Sequence, residues 1–102
     1  MTPRPSFFYD HLIPPGPYQT VLERSGGDLQ SERLIQKILF LAVSRAIFAN
    51  ITEPTLQAEF ARRALNNDPT LLDTLKTAQP DISTIIRQTL DRTLLGLTSA
   101  LQ

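Results

Sequence analysis

Residues 34–50 read LIQKILFLAVSRAIFAN, and the fold turns on how this stretch is placed. On a helical wheel of about 100° per residue, its apolar side chains spread over nearly the whole circumference. Leu34, Ile35, Ile38, Leu39, Leu41, Ala42, Val43, Ala46, Ile47, Phe48 and Ala49 leave only a narrow polar stripe at Arg33, Lys37 and Ser44. A helix apolar on nearly all sides is expected to lie among other elements. The segment 28–50 is therefore predicted as the central helix of the molecule, capped by Asp28 or Ser31 and closed by Asn50. Arg45 interrupts the pattern, projecting about 20° from Leu34 on the wheel, between Leu34, Ile38, Leu41 and Ala49. An unpaired buried guanidinium is very costly. Arg45 is thus expected either to fork onto a carboxylate, with Asp10, Asp73, Asp81 and Asp91 as candidates, or to snorkel to the rim or onto a partner.

On the N-terminal side, Gly26-Gly27 supplies a left-handed stop for a short helix over 17–24 that opens at Pro17. Pro3, Pro5, Pro14, Pro15 and Pro17 break regular structure before it, so residues 1–16 are predicted as an extended, aromatic and proline-rich arm. On the C-terminal side, Thr52-Glu53-Pro54 starts a helix to about residue 66, in which Glu59 can pair with Arg63 four residues on. Asp68-Pro69 opens a short helix over 69–78, and the QPD at 79–81 precedes a last helix to residue 102. That helix places Ile82, Ile86, Leu90, Leu94, Leu97 and Leu101 on one side. No stretch shows the alternation of a strand. The expected fold is all-α, a small orthogonal or bundle-like array of four to five helices, with the long segments 28–50 and 81–102 packed together. The organisation is an arm, 1–16, and a single helical domain, 17–102.

With 102 residues the chain suits one domain. Ten basic residues balance ten acidic ones, so binding driven by counterion release gains nothing from net charge, and association between neutral surfaces is favoured. The absence of cysteine excludes disulfides, thiolate nucleophiles and thiol-ligated metals. The start MTPRPSFFYDHL lacks the apolar run of a secretory signal, and the longest apolar run, ILFLAV at 38–43, is far shorter than a membrane span. A cytoplasmic location is expected.

Candidate chemistry is sparse. His11, beside Tyr9 and Asp10, is the only histidine and has no nucleophile near it in sequence, so no catalytic residue is assigned. One imidazole with scattered carboxylates gives no metal-ligand spacing, and the SGGD turn at 25–28 lacks a phosphate-loop signature, so neither metal nor cofactor is expected. Partner-binding candidates fall in two groups. Phe7, Phe8, Tyr9, Leu12 and Ile13 of the arm can dock onto this chain's own helices or onto a neighbouring subunit. On the back of the last helix, Leu95 lies opposite the main apolar side, while Ile85, Gly96 and Ser99 form a strip with small residues where another helix could approach. The reading that follows is a non-enzymatic protein–protein interaction or assembly subunit, with a homo-oligomer expected. The alternative is a nucleic-acid-binding regulator using a helix-turn-helix-like segment at 53–79, in which Arg62, Arg63 and Lys76 would touch phosphate.

Overall fold

In the computed structural model, residues 7–101 are described except Asn67 and Pro69, with the backbone alone for Leu65. All regular structure among the described residues is helical. A 3-10 turn, Asp10–Leu12, precedes α1 (Pro15–Arg24), α2 (Leu29–Asn50), α3 (Pro54–Leu65), α4 (Leu71–Ala78) and α5 (Ile82–Ala100).

The punctuation works locally as the residue types dictate. Gly26 and Gly27 take φ of 118° and 73°, the left-handed region open to glycine. This lets the Gly27 amide close α1 on the Leu22 carbonyl at 2.9 Å. Asp28 then caps α2, its carboxylate accepting from the Ser31 amide at 2.9 Å, while the Ser31 hydroxyl donates back to the Ser25 carbonyl at 2.8 Å. Pro54 starts α3 in the first turn, where its missing N–H costs nothing. α4 starts at Leu71, two residues later than expected, because Asp68 accepts from the amide and hydroxyl of Thr70 and holds that stretch in a turn. α1 in turn starts at Pro15, so the predicted arm is shorter than 16 residues and contains a 3-10 turn.

The centre of the molecule is α5. Its Ile82, Ile86, Leu90 and Leu94 are all at 0% exposure, and it packs against the 3-10 turn, α1, α2 and α4. The two long helices do pack together, but α2 is not surrounded. It buries a single strip, Ile35, Leu39, Val43 and Ile47 at four-residue intervals, with Gln36 alongside. The molecule measures 40 × 28 × 17 Å. Two helix layers with axes about 10 Å apart and Cα radii of about 2.3 Å give nearly that shortest dimension, so an outer helix keeps one side in solvent.

The aromatic segment folds onto its own chain. Phe8, Tyr9 and Leu12 are buried, and Phe7 and Ile13 pack partly buried against the core. The rings form a continuous series: Phe40 of α2 meets Phe7, Phe7 stacks on Tyr9, Tyr9 meets Phe8 edge-on, and Phe8 meets Phe60 of α3. Of the two surfaces expected for these five residues, this chain's own helices supply one, and the large rings fill space beside the core. The first six residues lie outside the described part.

Candidate functional site: the outer face of α2

The face of α2 turned away from α5 carries Leu34, Leu41 and Phe48 at 59%, 61% and 44% exposure. They lie seven residues apart, so they line up along one side of the helix. Ile38 is half-buried beside them and Arg45, between Leu41 and Phe48, is exposed. The sequence places Arg45 correctly within the apolar arc, but that arc faces solvent. No ion pair joins Arg45 to Asp10, Asp73, Asp81 or Asp91 among the described residues; the fork onto a carboxylate is absent there, and Arg45 stands at the rim as an exposed cation. Arg33 and Lys37 are also exposed on the same side. Two shallow depressions sit on this face, one lined by Ser31, Arg33, Leu34 and Lys37, the other by Ser44, Arg45, Phe48 and Ala49.

The face is backed by packing. Below it, the buried strip joins α2 to α5, and the ring of Phe60 of α3 lies 6.2 Å from that of Phe48. The Ser44 hydroxyl is shielded from water and makes no hydrogen bond.

The other sequence candidates are dispersed. Leu95, at 68% exposure, borders a shallow groove between α1 and α5 with Pro17, Thr20, Asp91 and Thr98. Gly96 and Ser99 are exposed, whereas Ile85 packs partly buried against the core. A side chain added at Gly96 would meet nothing within 4 Å, so no neighbour in this chain requires glycine there.

Arg63 is occupied. Its guanidinium donates to Asp68 at 2.8 Å, Glu59 at 2.9 Å, Thr74 at 3.0 Å and Thr70 at 2.6 Å, pinning α3 to the turn before α4 and to α4 itself. Hydrogen bonds from Thr70, and then from Arg63, hold the Asp68 carboxyl down to about 2, and the Asp68 bond raises the Arg63 pKa in return. Every guanidinium nitrogen is engaged, so Arg63 is removed from the set of phosphate contacts. Arg62 and Lys76 are exposed on separate helices.

His11 is exposed in the 3-10 turn. Tyr9 is fully buried with no hydrogen-bond partner for its hydroxyl, and burial pushes its pKa well above the ordinary tyrosine value. It lines a small cavity of about 20 Å³ with Phe7, Ile13, Gln36 and Leu39. Among the described residues no three His, Cys, Asp or Glu side chains gather to hold a metal, and no helix is long and apolar enough to cross a membrane.

Sequence reasoning missed the face made by Leu34, Leu41 and Phe48. Two signals pointed to it: the seven-residue interval, and the charge of Arg45 inside an arc otherwise read as buried. Comparison with protein-family models, with curated protein sequences and with solved structures finds no match to this chain.

Proposed function

We propose that this chain is a non-enzymatic protein–protein interaction or assembly subunit that docks through the outer face of α2. The observation that carries this reading is the line of three large apolar side chains left exposed on the longest helix, while every arm aromatic is used internally. Single exposed leucines are ordinary; an aligned series on a rigid element favours a partner. Docking surfaces gain from being held in place beforehand, and Phe60 and the buried strip do this here.

The test is Leu41→Glu in the full chain. Circular dichroism should show unchanged helix content, because residue 41 faces solvent. Light scattering and the mass of co-purifying protein should show the loss of whatever assembly the unaltered chain forms. Identical assembly in a folded Leu41→Glu variant would sink the reading. The nucleic-acid alternative gains no observation, since the Arg63 guanidinium is engaged within the chain and Arg62 and Lys76 stand exposed on separate helices.

A further inference from the structure

The exposed line on α2 has a finer period. Leu34, Ile38, Leu41, Arg45 and Phe48 are spaced by four, three, four and three residues, the seam of a helix that pairs with another helix. From Leu34 to Phe48 the seam runs about 21 Å, or four turns. Charge on this side has one sign. Arg33, Lys37 and Arg45 are exposed and without ion pairs among the described residues. The only carboxylate of the helix, Glu32, lies about 160° around from Leu34 and accepts from Gln36.

We propose that the occupant of this face is an amphipathic helix with acidic flanks, belonging to a different protein; the inference rests on the docking role given to α2 above. A second copy fits poorly. Antiparallel pairing of two α2 helices about Leu41 would set Leu34 against Phe48, but also Lys37 against Arg45, and gather the cations of both copies along one seam. Like charges at such positions oppose pairing. The exposed side of α5 offers no acidic complement either, since Arg87 and Arg92 accompany Asp91 around Leu95. A bilayer surface fits less well than a helix. Helices that lie in an interface keep their charges on the side opposite a broad apolar sector, whereas Arg45 stands within the seam and Lys37 about 60° from Leu34. An acidic helix turns the same feature to use, because a carboxylate facing Arg45 fixes the register of the pair.

The test uses the full chain and two synthetic peptides of about 18 residues, each with leucines at four-and-three spacing. One carries glutamates and the other lysines at the flanking positions, and binding is read by fluorescence anisotropy. The glutamate peptide is expected to bind at least about tenfold tighter, with the gap shrinking as salt rises. The double variant Lys37→Glu/Arg45→Glu is expected to reverse the preference. Equal affinity for the two peptides, with both lost in Leu41→Glu, would overturn the acidic partner while leaving a docking face. Binding to phosphatidylserine vesicles with no peptide bound would overturn it in favour of a membrane. A homodimer abolished by Leu41→Glu would overturn it in favour of self-pairing. No binding dependent on Leu41 to peptide, vesicle or a second copy would sink this inference, and unchanged native assembly in Leu41→Glu would then sink the docking role too.

Discussion

The two long helices, α2 and α5, are similar in length, yet they end in opposite situations. α5 is touched from several sides and its Ile82, Ile86, Leu90 and Leu94 are fully buried; α2, richer in large apolar residues, shows Leu34, Leu41 and Phe48 to water. The difference teaches that hydrophobic content does not rank helices by centrality. Position in the layers does. The last helix lies between α1, α2 and α4, and the longest lies on the outside, so what folding leaves unused on α2 is available to something else.

The sharpest way to break this comparison is to truncate one leucine in each helix. Leu90→Ala, in the closed centre, is expected to lower unfolding free energy by about 2–5 kcal/mol, the range for a buried leucine that leaves a cavity. Leu41→Ala is expected to stay within about 0.5 kcal/mol, as surface substitutions do. Urea unfolding of both variants decides it, and equal losses would mean that α2 is enclosed after all.

The second prediction concerns the ring that seals the inner side of α2 against the arm. The Tyr9 phenol titrates above its ordinary value of about 10 because burial, then Asp10 and Tyr18, disfavour the phenolate. A raised folded-state pKa contributes stability in full below about pH 10, and that contribution is lost as pH climbs beyond it. Tyr9→Phe should therefore flatten the alkaline fall in melting temperature. At neutral pH it should change stability by less than about 1 kcal/mol, since the hydroxyl makes no hydrogen bond. A loss above about 2 kcal/mol at pH 7 would show that the hydroxyl has a partner.

The smallest effect belongs to the periphery. Asp68, held near 2, contributes stability that is present above about pH 4 and is lost as pH falls from 4 toward 2. Asp68→Asn should lower the melting temperature slightly at pH 7 and remove that part of the acid dependence. A variant and parent with parallel acid profiles would show that the Arg63 network does not hold α4 in place. Helix content should persist in either case, because α2 and α5 make their main packing contact with each other.

Much of the fold was legible because its boundaries are chemical. Gly26-Gly27, Asp28, Pro54 and Asp68 each stand at or beside an element end, for reasons local to a few residues. What escaped sequence reasoning is what depends on the third dimension. The wheel of residues 34–50 states how much of α2 can be buried, not how many layers exist to bury it. The Glu59–Arg63 pair follows from i, i+4 spacing on α3, but its extension to Asp68, Thr70 and Thr74 depends on how α4 is placed against α3. The sequence marks Phe7 and Phe8 as rings in need of a surface, and that Phe40 and Phe60 meet them depends on the packing of helices distant in the chain.

The burial of α1 and the 3-10 turn against α5 also sets a timetable. Tyr9, Leu12, Val21 and Leu22 finish their packing only on a helix that emerges after residues 25–81 have been made. At roughly 5–20 residues per second, that is a wait of roughly 3–12 s on the ribosome. Through that interval the aromatic segment is exposed with no α5 to cover it, while α1 and α2 can already form as separate helices. A ribosome stalled before residue 82 would therefore hold a chain that is helical but open, with its aromatic segment made well before the helix that completes its packing.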